Sequence, residues 1–448
     1  MNWIQLLSDK RPGERKKSHN NQRSKFEQDY DRIIFSHPFR MLQDKTQVFP
    51  LPKQDFVHTR LTHSLEVASV GRSLGKLAGE KIIKKHPETQ EHGYTSYDFG
   101  AIVSAASLMH DMGNPPFGHA GENAISEFFK SEKIAQTIQP NVSQKEWADI
   151  TNFEGNAQGF RLVNRQNYQG LKLTFATLGA FTKYPRESKI DSPDTSRKSQ
   201  KKYGFLQSNK SVFQEIANEM GLIKLGESID ASWCRHPLAF LVEAADDICY
   251  NIIDLEDGTN LGLVSLDETK SLLVEIIGDS FDEQKYQKIE SVKEKVSVLR
   301  AMAIQRLIVQ CVDKFIERED EILAGTFDKA LTDHIQSTPA LKQIQSISFI
   351  KIYKSKPVIE KEVAGFEVLK GLLETFVPGI VNLKSSNNVN WYESSLIKLL
   401  PVDYQTDIEK AKTLYETLLI LLDFISGITD SYALSLYRNI KGISLPNS

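Results

Sequence analysis

Between His63 and Lys81 the apolar side chains keep step with a helix. His63, Val67, Val70, Leu74 and Leu77 advance by alternating steps of four and three, which aligns them as one buried stripe. Ile102, Ala106 and Met109 repeat the pattern, and Gly113-Asn114-Pro115-Pro116 then supplies a strong stop. Another helix is predicted from about Leu238 to Leu255. From about Ser291 onward the chain continues in the same period, for example over Leu414 to Ile425. Alternating β-branched residues are sparse, and Ser346 to Tyr353 is the best strand candidate. No repeat or low-complexity tract is visible. The expected class is all-α.

Two polar stretches break the apolar pattern. In residues 10–25, Lys10, Arg11, Arg15, Lys16, Lys17, Arg23 and Lys25 face a single acid, Glu14. This reads either as a solvated, mobile terminus or as an arm that contacts phosphate or nucleic acid. The second stretch, Arg186 to Lys202, reads as a surface loop between apolar segments.

Composition removes several classes. Of the 448 residues 40% are hydrophobic, and 55 basic residues against 58 acidic ones give a formal net charge of −3, unlike a disordered chain. The three cysteines, Cys234, Cys249 and Cys311, cannot form a disulfide framework, and no CxxC pair marks a structural zinc module. The longest aliphatic run, Leu418 to Leu422, is far short of the roughly 20 residues of a membrane helix. Met1 to Lys10 has no apolar signal core. A soluble, cytoplasmic protein without membrane contact is expected.

Three segments place ligand-type side chains on buried helical faces: Arg60-Leu61-Thr62-His63, Met109-His110-Asp111-Met112, and Glu243 to Tyr250 with its Asp246-Asp247 pair. Burying an imidazole beside a carboxylate costs several kcal/mol unless something compensates the charge. A divalent cation is sufficient, and two His with two Asp suit Mn, Fe, Zn, Ni or Mg with positions left open.

His63, His110-Asp111 and a distant Asp246 together resemble the H…HD…D signature of the HD-domain phosphohydrolases. The likeness extends to Phe35 through Phe49, Thr59 to Val67, Leu108 to Glu122, Asn152 to Gly159, Glu243 to Asp257, Ala324 to Phe327 and Gly427 to Asp430. In this longer form the chain resembles the bacterial deoxyguanosine triphosphate triphosphohydrolases over roughly residues 26–440. The resemblance implies a reaction of dGTP and water to deoxyguanosine and tripolyphosphate, supported by Mn2+ or Mg2+. It implies a homo-oligomer, often a hexamer, and single-stranded DNA as an effector. It divides the chain into the basic arm 1–25, an HD core 26–290 containing the loop 186–202, and a C-terminal helical region 291–448 that completes the nucleotide pocket and the oligomer contacts.

Carried over residue by residue, the resemblance makes His63, His110, Asp111 and Asp246 the metal ligands, with Asp246 preferred over Asp247. Asp246, Tyr250 and Asp254 are spaced to share one helical face. It makes His119 and Glu122 the couple for proton chemistry at the α-phosphorus. Arg60, Asn114 and Lys183 are assigned to the phosphates, Tyr250 and Asp254 to the deoxyribose 3′-hydroxyl, Gln47 to the sugar edge, and Asn156 to the pocket wall. Base recognition in the family draws on the C-terminal part. There Glu393 keeps a recognisable context, but Pro401-Val402-Asp403-Tyr404 replaces the expected basic residues. The alternatives are a broad dNTP triphosphohydrolase, another HD nucleotidase or phosphodiesterase, or a single-stranded nucleic-acid-binding regulator with a vestigial site.

Overall fold

The computed structural model describes residues 1–14, 23–48, 58–165, 170–226, 230–385 and 389–444. Among them there is no strand; isolated bridges such as Thr46 to Thr59 and Arg186 to Ser232 stand alone between helices. The protein is all-α. Among its helices are α1 (Trp3–Leu6), α2 (Lys25–Ile34), α3 (Arg60–Lys85), α4 (Ser96–Leu108), α5 (Gly118–Lys130), α6 (Gly155–Val163), α7 (Phe175–Phe181), α8 (Pro237–Asn260), α9 (Val292–Glu317), α10 (Lys356–Ser385), α11 (Trp391–Ile397), α12 (Leu414–Gly427) and α13 (Asp430–Ile440).

Helix α3 starts where Thr59 and Thr62 cap each other, side chain to backbone in both directions, which satisfies amides that the first turn leaves open. Val67, Val70, Leu74, Ala78 and Ile82 form its buried stripe, as the sequence pattern predicts. Gly75 lets α4 approach closely: a Cβ there would lie 2.6 Å from the Phe99 carbonyl oxygen. Helix α4 is capped by Thr95 and Asp98, whose carboxylate accepts from the Thr95 amide and hydroxyl, both at 2.8 Å. Pro237 opens α8 at a position needing no amide donor, and the His236 ring caps the Leu238 amide at 3.1 Å.

Two apolar clusters hold the helices together. The first joins Trp3, Leu6 and Phe26 to α3, α4, α8, α9 and Ile352. The second packs α5 against α10, α12 and Ala433 of α13. The pocket lies where they meet. Helices α12 and α13 are apolar enough together to resemble a membrane span, but they bend by 114° at their junction. Their apolar side chains are in the second cluster, and no single described helix is long and apolar enough to cross a membrane.

One sequence expectation is overturned and two are refined. Ser346 to Tyr353 is not a strand; Ser348–Tyr353 is a π-helical turn. Its buried positions, with Ile344 before them, are Ser348 and Ile352, a step of four that a short apolar run disguises. The described parts of the basic arm are docked: Lys10 pairs with Glu219 at 2.7 Å, Arg11 with buried Asp29 at 2.6 Å, and Lys25 with Glu14 at 3.1 Å. Arg15, Lys16 and Lys17 lie outside the described residues. The loop 186–202 is exposed mainly in its middle, over 191–196. Glu187 at one end is fully buried, held by Lys145 at 2.7 Å and Lys210 at 3.0 Å, and Ser199 and Gln200 are buried at the other.

Candidate active site and metal centre

His63 enters from the first turn of α3 and Asp246 from the middle of α8. His110 and Asp111 follow the end of α4, in a turn rather than on the helix. Adjacent helical side chains diverge, so the turn is what lets this consecutive pair face one site. His63 Nε2 lies 3.3 Å from Asp246 Oδ1, and His110 Nε2 lies 3.5 Å from the same oxygen. The donor atoms of His63, His110 and Asp246 all fall within 4.8 Å of one another. Asp111 stands beside this group, with Oδ2 3.6 Å from His110 Nε2. It accepts from Arg60 Nη1 and from Asn114 Nδ2, each at 2.6 Å.

The electrostatics favour a cation here. Burial alone would lower the His110 pKa, but Asp111 and Asp246 raise it to about 9. Burial would raise Asp111, yet Arg60, His110 and His63 bring it down to about 2. The His110 shift reports buried carboxylate charge that favours a positive partner, and the Asp111 shift reports the positive groups already beside it. His110 Nδ1 faces the Ser107 carbonyl at 2.7 Å, which leaves Nε2 for the site, as a second-layer partner does in metal centres. The nitrogen and oxygen donor set fits a divalent cation.

Asp247 faces elsewhere. It accepts from Thr332 Oγ1 at 2.6 Å, and burial raises its pKa to about 6.

The group opens into a cavity of about 510 Å³, within the range of ligand pockets. Of the sequence-derived candidates, Gln47, Arg60, His110, Asp111, Asn114, His119, Glu122, Asn156, Lys183, Asp246 and Tyr250 line it. His63 and Asp254 lie behind the wall. Asp254 is buried and accepts from the Tyr353 hydroxyl at 2.5 Å, while Tyr250 stacks on the Tyr353 ring. Gln47 Oε1 is buried with no hydrogen-bond partner among the described residues.

His119 stands in the first turn of α5, its Nδ1 2.8 Å from Glu122 Oε2; the other Glu122 oxygen accepts from the Gly155 amide at 2.8 Å. The hydrogen bond to Glu122 raises the His119 pKa. Lys183 lies 3.3 Å from Glu243, a fully buried carboxylate also paired with Arg235 at 2.7 Å and Lys198 at 3.2 Å. Burial would lower the Lys183 pKa, but Glu243 raises it, so the ammonium stays charged. The Asn156 amide donates to Glu154 Oε1 at 2.6 Å.

Several lining residues escaped the sequence reading. Lys202, paired with Glu154 at 3.1 Å, ends the stretch read as surface loop; the aromatic Tyr203-Gly204-Phe205 that follows was the available signal. Phe349, Tyr353, Val358 and Glu362 line the cavity from the region mistaken for a strand and from α10. Glu393 does not line it: its carboxylate caps α11 and accepts from Asn382 at 2.7 Å.

Comparison with known proteins agrees with this geometry. Residues 60–150 match the HD domain, and residues 331–439 match the phosphohydrolase-associated domain. A deoxyguanosinetriphosphate triphosphohydrolase-like protein of Synechocystis is 43% identical over 99% of this chain and all of its own length. One of the same description from Pseudomonas aeruginosa is 37% identical over the whole of both chains. The deoxyguanosinetriphosphate triphosphohydrolase of Salmonella typhimurium is 30% identical over 93% of this chain and 94% of its own. With its HD segment, its associated segment and relatives matched from end to end, the chain belongs to the deoxyguanosinetriphosphate triphosphohydrolase-like family of HD-domain phosphohydrolases.

Proposed function

We propose that this phosphohydrolase cleaves dGTP at the α-phosphorus, releasing deoxyguanosine and intact tripolyphosphate. The observation that carries the reading is one cavity that joins the His63, His110 and Asp246 group, the His119–Glu122 couple and the cations Arg60 and Lys183. His63, His110, Asp111 and Asp246 would hold a divalent cation, Mn2+ or Mg2+, which supplies charge stabilisation at the phosphate. Arg60 and Lys183 bind the triphosphate oxygens; each now rests on a carboxylate, Asp111 and Glu243, that holds it in place. Glu122 fixes the His119 ring through Nδ1, so Nε2 handles the proton. In the balanced step a water oxygen bonds to the α-phosphorus, the bond to O5′ breaks, and O5′ leaves carrying a proton. Asp254 and Tyr250 take the 3′-hydroxyl, and the unpartnered Gln47 Oε1 accepts a donor from the nucleoside.

The test is incubation with each dNTP and NTP in Mn2+ or Mg2+, with products resolved by anion exchange. Deoxyguanosine and tripolyphosphate from dGTP support the proposal. Orthophosphate or a nucleoside monophosphate overturns it, and equal turnover of all dNTPs replaces guanine selection with a broad triphosphohydrolase.

A further inference from the structure

Asp430 opens α13, far from the HD segment in sequence, and is 1% exposed. Its carboxylate serves two stretches of the pocket wall at once. Oδ2 accepts from the Thr46 amide at 3.1 Å and from the Thr46 hydroxyl, and Oδ1 accepts from the Phe117 amide at 2.9 Å. Gln47 follows Thr46; His119 stands two residues beyond Phe117. Buried Lys45 ties the same pieces a second time, donating to the Asn114 carbonyl at 2.8 Å and to the Ser426 carbonyl at 2.6 Å. The α12–α13 junction therefore grips both the 45–47 segment and the 114–117 turn. Neither Asp430 nor Lys45 lines the cavity.

The turn it grips is strained. Phe117 has φ +62 and Gly118 φ +57, so two left-handed residues precede α5, and the first is not glycine. A left-handed residue with a side chain is unfavourable and persists only where its surroundings hold it. No side chain of the turn itself caps α5. Phe117 is held from outside, by Asp430 at its amide and by the close approach of Gly365 to its ring.

We propose that Asp430 is a positioning residue of the active site, setting His119 and Gln47 in register with each other. One buried carboxylate with two acceptor oxygens, each spent on a different wall, suits that task. An amide at the same position keeps one acceptor and turns a second donor against a backbone amide, so one wall is released. The turnover arm of the test rests on the proposed hydrolase reading; the exchange arm does not.

The experiment compares full-length wild type with Asp430→Asn by hydrogen exchange, Mn2+ binding and steady-state kinetics on dGTP. Exchange is expected to rise in residues 45–48 and 117–122 and to stay unchanged in α3 beyond its first turn, whose Arg60 amide donates to the Lys45 carbonyl. Mn2+ affinity is expected to hold within about twofold, because no proposed ligand touches Asp430, while kcat falls at least about tenfold, more than KM changes. Unchanged exchange in both walls overturns the proposal. So does a kcat loss matched by equal loss of Mn2+ affinity, which marks general damage. Wild type that shows the protection pattern but turns over no dNTP overturns the hydrolase reading alone. If Asp430→Asn does not fold, Thr46→Val carries the exchange measurement with a smaller expected rise, and an unaltered 45–48 segment in that variant equally overturns the proposal.

Discussion

Glu122 holds His119 Nδ1 at 2.8 Å with one oxygen and the Gly155 amide at 2.8 Å with the other. The imidazole is thus braced against α6, the helix that also carries Asn156, while its outer nitrogen is left to the cavity. If the couple works as proposed, His119→Ala loses at least about a hundredfold in kcat while Mn2+ and nucleotide still bind. Glu122→Gln keeps the shape but not the charge, and is expected to lose about tenfold or more. Calorimetric nucleotide binding beside turnover checks this, and a near-normal kcat in His119→Ala removes that residue from the mechanism.

Removal of divalent metal by a chelator is expected to abolish hydrolysis, and Mn2+ or Mg2+ to restore it. The neighbours Asp246 and Asp247 separate cleanly. Asp246→Ala should lose at least about a hundredfold in metal affinity. Asp247→Ala, which loses only the contact to Thr332, should keep it. Mn2+ titration of both variants decides the matter, and equal losses contradict the assignment.

Asp254 is a buried acceptor whose present donor is the Tyr353 hydroxyl. The proposed contact to the 3′-hydroxyl adds a hydrogen bond that an analogue lacking this group cannot make. Wild type is therefore expected to prefer dGTP to 2′,3′-dideoxy-GTP, and Asp254→Ala to shrink that preference at least about tenfold. Competition between the two nucleotides in one reaction measures it.

His58 is not a lining residue of the cavity, and comparing wild type with a variant isolates its pH signature. Burial would lower its pKa, but Asp257, at 2.9 Å, and Glu66, at 3.2 Å, raise it from 6.5 to about 10. A raised histidine stabilises the fold fully below its unfolded pKa, and that contribution disappears as pH climbs through the folded value. Stability should therefore decline between about pH 6.5 and about 10. His58→Gln is expected to cost about 2 kcal/mol near pH 6, the scale of charge-assisted hydrogen bonds, and to flatten the slope above it. Denaturant melts across that range give the answer.

Much of the helical frame was legible because burial leaves a period. The stripes of α3 and α8 put His63 and Asp246 on inward faces before any coordinates are needed. Ser346 to Tyr353 misled because a run so short satisfies both periods. Spacing alone could not separate Asp246 from Asp247; the distances to His63, His110 and Thr332 do. The places of Lys202 at the cavity and of Asp430 behind its wall left no trace in the period for another reason. A polar side chain carries no periodic signal, and the partners of these two, Glu154, Thr46 and Phe117, are distant in sequence.

The distances along the chain also bear on biosynthesis. His63 meets Asp246 across 183 positions, and Phe117 meets Asp430 across 313. On the ribosome the HD segment emerges long before α8, and α8 long before α13. A nascent chain therefore cannot assemble the His63, His110 and Asp246 group until α8 has docked, nor brace the turn at Phe117 until the last helices arrive. Premature termination anywhere upstream of the α12–α13 junction should yield an inert fragment rather than an unregulated consumer of nucleotides.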